Sequence, residues 1–129
     1  MIIGIHGAVI ERKKLLLVRK GEIYIFPGGK MEQDETEEQC LKREFREELR
    51  ETEINVLDFY GDFDGLTPFS RRMIRSRVYF AEIAGELKGV SSTDKINGYE
   101  FVSFDSLKNF TISDISRKVI AALHKDKYF

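Results

Sequence analysis

A mixed α/β fold is what this sequence predicts, and three observations carry that prediction. Short apolar runs bounded by turn residues recur along the chain, a charged mid-chain segment spaces its apolar residues by four, and a second helical stripe lies near the C-terminus. At 129 residues the chain is expected to form one domain, 1–129, with a sizeable core and no room for a second.

The elements follow in order. Ile2 to Ile10 is apolar with Gly4 and Gly7 interspersed, and Leu15 to Val18 is a second apolar run. The charged Glu11-Arg12-Lys13-Lys14 between them reads as a hairpin connection. Ile23 to Phe26 reads as a short strand that Pro27 and the Gly28-Gly29 pair must stop. Thr36 followed by Gln39 makes a capping box, so a helix is expected to start at Glu37. Its apolar stripe is Leu41, Phe45 and Leu49, which packs on a sheet while the adjoining side faces a cleft. Strands are expected over Ile54 to Tyr60 and Arg75 to Ile83, joined by a polar stretch containing Gly65 and Pro68. Gly85 to Gly98 is turn-rich, Tyr99 to Phe104 reads as a strand, and Ile115, Val119, Ile120 and Leu123 mark a C-terminal helix.

Composition narrows the function classes. The 21 Lys and Arg against 22 Asp and Glu leave no global basic field for bulk nucleic-acid binding. A single cysteine, Cys40, excludes an internal disulfide and fits a reducing compartment. Met1-Ile2-Ile3-Gly4-Ile5 has no basic residue before it and reads as a strand, not a signal peptide. No apolar stretch approaches the ~20 residues of a membrane span. The expectation is a cytoplasmic protein, monomer or homodimer, with no membrane partner.

The charged helix carries the chemistry. Glu44, Glu47 and Glu48 sit at i, i+3 and i+4, on one face of any helix through them. Their mutual repulsion opposes the helix unless a cation holds them, and an oxygen-only ligand set suits Mg²⁺ or Mn²⁺ and not zinc. The alternative is a solvated face, since nine Glu lie between Met31 and Glu53. Placed together, Gly29, Glu35, Arg43, Glu44, Phe45, Glu47 and Glu48 resemble the Nudix box, Gly-x5-Glu-x7-Arg-Glu-U-x-Glu-Glu-x-Gly-U, where U is bulky and apolar. The preceding Phe26-Pro27-Gly28-Gly29-Lys30 resembles the approach in MutT-like members. The match departs at its end, with Arg50 in place of the last Gly and Glu51 in place of the last U. Either the helix runs on there or Arg50 adopts a left-handed conformation.

The resemblance implies an α/β/α sandwich with a mixed β-sheet between helices. It also implies metal-dependent hydrolysis of a phosphoanhydride in a nucleoside diphosphate linked to another group. In such chemistry divalent cations neutralise phosphate oxygens and lower the pKa of water, while the protein mainly positions the reactants. By position, the resemblance implies Glu47, Glu48 and the Gly28 carbonyl as metal ligands, and Glu44 as general base or further ligand. Arg43 and Glu35 resemble the ion pair that orients Glu44. Arg19 and Lys20 stand where the family often places a cation for substrate phosphate, and the other reading is a plain surface strand end. Phe26 and Arg77 complete the candidate substrate contacts, although the strand face that Arg75 and Arg77 share serves either substrate or solvent. His6 and His124 lack partners at ligand spacing and read as structural; Cys40 reads as packing.

Subfamily markers are mixed. Lys95-Ile96 stands where many members carry Glu-Ile, leaving Asp94 or Glu100 as substitutes for a fourth carboxylate. Residues 111 to 116 hold no Asn of the kind MutT uses to read an oxidised guanine, and Pro68-Phe69 matches neither ADP-ribose nor dinucleoside polyphosphate hydrolases cleanly. The favoured expectation is a nucleoside triphosphate, ordinary or oxidised, cut to NMP and pyrophosphate. The alternatives are an ADP-ribose or other nucleoside diphosphate sugar pyrophosphatase, and an inactive nucleotide-binding module.

Overall fold

The structure, a computed structural model, describes residues 1–92 and 95–129. β1 (Ile2–Ala8) and β2 (Ile10–Glu11) are one continuous run that bends at Val9 from one sheet into another. β3 (Lys14–Lys20) returns through a two-residue turn in which Arg12 and Lys13 both take positive φ, 51° and 63°. Paired left-handed residues match the twist of a tight hairpin, here without Gly or Asn to ease it. β4 (Ile23–Ile25) follows, then β5 (Gly28–Lys30), α1 (Glu37–Glu48), β6 (Glu53–Leu66), β7 (Met73–Ala84), β8 (Ile96–Ser103), a 3₁₀ turn (Phe104–Asn109) and α2 (Asp114–Lys125).

Two four-stranded sheets result. The first runs β5-β1-β7-β6 and is mixed, because β1 lies parallel to β7 while β5 and β6 pair antiparallel. The second is antiparallel, with β8 along one edge of β3 and with β2 and β4 on the other. The run Leu15 to Val18 divides between two cores in strict alternation: Leu15 and Leu17 join Val78, Val119 and Leu123 on the α2 side, whereas Leu16 and Val18 join Leu41, Phe45 and Leu49 on the α1 side. All four are fully buried. A strand apolar on both faces is what a sheet covered on both sides requires, and the layers are helix, sheets, helix. The observed fold is the mixed α+β sandwich expected from the sequence.

Several boundaries differ from expectation. The Gly28-Gly29 pair does not end strand structure but forms β5, with Gly28 to Lys30 paired against His6 to Gly4. β6 runs six residues past Tyr60 to Leu66, absorbing Gly65 from the expected connection. The segment Phe104–Asn109 is a 3₁₀ turn, not part of the preceding strand.

Candidate active site

α1 begins where its capping box places it. The Thr36 hydroxyl accepts from Gln39 N–H at 3.1 Å, and the Gln39 side chain accepts from Thr36 N–H at 2.9 Å. Phe45, Leu41 and Cys40 bury the inner face, which fixes the helix roll and turns Glu44 and Glu48 toward β5. The helix ends at Glu48 with Leu49 as its cap. The left-handed residue is Glu51, φ 52°, and not Arg50. Glu51 N–H bonds the Arg46 carbonyl and Thr52 N–H the Leu49 carbonyl, so the exit is closed one residue later than the motif's Gly position.

β5 supplies the opposite wall. Gly28 has φ 140°, and a Cβ there would lie 2.1 Å from the Ile5 carbonyl oxygen, so only glycine allows this strand to approach β1. Its N–H donates to Glu48 Oε1 at 3.1 Å. At Gly29 a Cβ would stand 2.6 Å from Glu44 Cδ, so the missing side chain is the cradle in which the Glu44 carboxylate rests. Two carboxylates from α1 thus lie against consecutive glycines.

Arg43 ties the arrangement together. Its Nε and Nη2 donate to the two oxygens of Glu35 at 2.6 and 3.0 Å, a two-pronged pair. Nη1 donates to Glu44 Oε1 at 2.9 Å and to Glu47 Oε2 at 3.2 Å, and Nη2 also meets the Lys30 carbonyl at 3.1 Å. The Arg43 hydrogen bonds, with the Glu32 N–H, hold the Glu35 carboxyl down at about 2. Arg43 itself titrates higher than an ordinary arginine, chiefly because Glu35 accepts hydrogen bonds from its charged guanidinium. Cys40 is fully buried beside them, and burial pushes its thiol up to about 12, so it packs and does not attack.

Glu44 and Glu48 suit a hard divalent cation by donor chemistry and by the glycine cradle. Glu47 is half-exposed and turned to Arg43, and among the described residues no three His, Cys, Asp or Glu side chains gather as a closed cage. Asp94 lies outside the described residues. Glu100 is exposed on β8, in the sheet that does not contain β5.

Beside this wall opens a cavity of about 330 Å³, lined by Phe26, Gly29, Lys30, His6, Lys20 and Phe69 among others. Gly29 belongs to both cavity and carboxylate site. Of the four candidate substrate contacts, Lys20 and Phe26 line this cavity. Lys20 Nζ lies 5.2 Å from the centre of the Phe69 ring. Arg19 does not line it; a register shift between Arg19 and Lys20 separates them, and Arg19 donates to the Asn97 carbonyl at 3.0 Å. Nor does Arg77, which is held by Glu37 at 2.8 Å and Asp62 at 2.9 Å and stacks on Phe59. Burial works against charge at Glu37, yet the hydrogen bonds from Arg77 and Tyr79 keep its carboxyl below the usual range. Glu37 was legible only as one Glu among many, since its partners are some forty residues away. His6, expected to be structural, bonds Ser76 at 2.6 Å and lines the cavity.

Comparison with known proteins agrees with this fold. The NUDIX domain family model matches residues 4–123. Curated proteins offer no match. Among solved structures, the E. coli ORF135 protein is similar at TM-score 0.74 and 23% identity, covering 98% of this chain and 93% of its own. A MutT protein from Methanosarcina mazei Go1 gives TM-score 0.77 at 21% identity, with 97% and 94% covered. An ADP-ribose pyrophosphatase from Streptococcus suis gives 0.75 at 14% identity, with 98% and 92% covered. Nudix hydrolases act on small-molecule nucleotide substrates and use divalent metal ions. With its carboxylate helix, its glycine strand and a match over nearly its whole length, the chain belongs to the Nudix family and is a pyrophosphohydrolase of that family.

Proposed function

We propose that the chain, acting as one domain over residues 1–129, hydrolyses nucleoside triphosphates, ordinary or oxidised, to NMP and pyrophosphate with Mg²⁺ or Mn²⁺. The observation that carries this is the shared wall: Glu44 and Glu48 lie on the glycines of β5, and Gly29 also borders the apolar cavity beneath Phe69. A base held between Phe26 and the Phe69 side leaves its phosphates near the carboxylates, with Lys20 and Lys30 at the rim to meet their charge. Glu48, Glu47 and the Gly28 carbonyl are the ligands of choice, with Glu44 as base or assisting ligand, oriented by Arg43 and Glu35. A divalent cation there supplies neutralisation of phosphate charge and a lowered pKa for attacking water. Glu47 must leave Arg43 to take part. Among the described residues no helix is long and apolar enough to cross a membrane, and a cytoplasmic location fits the single reduced cysteine.

The test is a panel of nucleotides with Mg²⁺ and product analysis. NMP plus pyrophosphate supports this reading, whereas AMP plus ribose phosphate from ADP-ribose replaces it with a nucleotide-sugar pyrophosphatase. Turnover that persists after exhaustive EDTA treatment removes the metal-dependent mechanism.

A further inference from the structure

A second cavity, of about 600 Å³, shares no lining residue with the one beside the carboxylates. Arg117, Ile120, Ala121, His124 and Lys125 of α2 line it, at i, i+3, i+4, i+7 and i+8, which is one stripe of the helix. Leu107 and Lys108 of the 3₁₀ turn complete the walls. The apolar part is fixed in place. Ile112 and Ile120 are nearly buried, Ile112 bridges to Tyr24 on β4, and Phe110 meets the Tyr24 ring edge-on at 5.0 Å. Phe104 stacks on His124 with ring centres 3.5 Å apart, yet stays 38% exposed. The charges are of one sign. Lys108, Arg117 and Lys125 line the cavity, and among the described residues no carboxylate lines it or forms an ion pair with these three. Asp114 is taken by Lys118 at 3.9 Å, Asp126 accepts from the Tyr60 hydroxyl, and Asp105 is exposed outside the cavity. Arg117 Nε donates to the Ile112 carbonyl at 3.1 Å, which anchors the guanidinium and leaves its Nη groups to donate. His124 Nδ1 is engaged by the Phe129 backbone oxygen at 2.9 Å. At ~1.5 Å per residue, Arg117 and Lys125 stand about 12 Å apart along the helix axis, so the positive charge is spread along the cavity.

We propose that this cavity is a second nucleotide site, which binds a nucleoside triphosphate by its base and its phosphate chain and does not hydrolyse it. An extended polyanion matches cations spread along the helix, whereas a lone carboxylate would meet only one of them. A flat base matches the exposed Phe104 ring and the apolar Leu107 and Ile120 walls, because every base has a face that stacks on an aromatic ring. The volume lies within the ~300–1,000 Å³ that small-molecule sites span. With no lining carboxylate among the described residues to hold a divalent cation, this cavity lacks what Glu44 and Glu48 offer for activating water. The site uses neither the carboxylates of α1 nor any step of hydrolysis, so it stands apart from the reading of the active site.

The test locates binding without turnover. The full isotope-labelled chain is titrated in EDTA with α,β-methylene-ATP, whose α–β bridge resists hydrolysis, and backbone amide NMR shifts are followed. Saturable shifts are expected across residues 104–112 and 117–125. Affinity should exceed that of inorganic tripolyphosphate or of adenosine by at least ~10-fold, since each of those makes only part of the contacts. Lys108→Ala combined with Lys125→Ala should weaken binding by ~5-fold or more through lost charge. Phe104→Leu should weaken it by ~3-fold or more through lost stacking. The urea midpoint of each variant checks that it is folded. Shifts confined to the cavity beside the carboxylates overturn the proposal, as does tripolyphosphate or adenosine binding as tightly as the nucleotide. Tighter binding of decanoate would make this an apolar-acid site instead, and unchanged affinity in both folded variants would place the nucleotide elsewhere. Should ADP-ribose be cut and triphosphates left intact, the proposed catalytic function fails while shifts at residues 104–125 still uphold this second site.

Discussion

Arg43 is the residue on which the carboxylate geometry depends most. Its guanidinium contacts Glu35, Glu44 and Glu47 together, and its flat fork satisfies both oxygens of Glu35. A lysine keeps the charge and loses the fork, so Arg43→Lys should free Glu44 from its cradle at Gly29. Turnover is expected to fall by at least ~10-fold, the range for a group that orients a ligand. An unaltered kcat in that variant would reduce Arg43 to a surface charge. Glu48 answers a different question. Glu48→Gln retains an oxygen to accept from Gly28 N–H and removes the negative charge, so the fold should persist while turnover drops by ~10² or more. Near wild-type turnover would remove Glu48 from the metal set.

At the scale of the element, the exit of α1 is where this chain departs from its family pattern. Glu51 takes the left-handed conformation at φ 52°, which a side chain resists and glycine does not. Glu51→Gly should therefore raise stability, by up to ~1 kcal/mol after the greater freedom of glycine in the unfolded chain is offset. Urea denaturation reads this directly, and a lower midpoint in the variant would show that Glu51 is held there by contacts that outweigh the strain. The hydrogen bonds Glu51 N–H to Arg46 and Thr52 N–H to Leu49 explain why α1 still stops before Arg50.

Across the whole molecule, acid sensitivity should come in two stages. Burial lowers the His6 pKa from its usual 6.5 to about 4, so folding favours the neutral ring. That stability is complete above 6.5 and is lost as pH falls toward 4, because the unfolded chain takes up the proton first. Glu35 is held at about 2 against a usual 4.5, chiefly by Arg43. Its share is present above 4.5 and fades as pH falls toward 2. Melting temperature followed against pH should therefore decline in the upper window for the wild type and flatten there in His6→Phe, while Glu35→Gln flattens the lower window. Identical slopes in wild type and His6→Phe would mean that the ring is not held neutral by the fold.

Much of the candidate site was legible before any coordinates. The start of α1, the common face of Glu44 and Glu48 and the apolar strand Leu15 to Val18 follow from spacings within one chain segment, while the Arg43–Glu35 pair is implied by the resemblance to the Nudix box. Backbone geometry sets those spacings, with a period near 3.6 in a helix and 2 in a strand, so residue order alone suffices. Other features waited for the tertiary structure. Gly28-Gly29 reads as a strand breaker until β1 is seen to pair with it. Arg19 and Lys20 are neighbours in sequence, yet a register shift sends one to Asn97 and the other to the cavity. Arg77 is a free cation on paper and the partner of Glu37 and Asp62 in the fold. His6 has no partner nearby in sequence, and finds Ser76 only because β1 and β7 lie side by side. Hydrogen bonds of this second kind join residues tens of positions apart, and strand order and register, which are cooperative properties of the whole packed sheet, decide which ones meet.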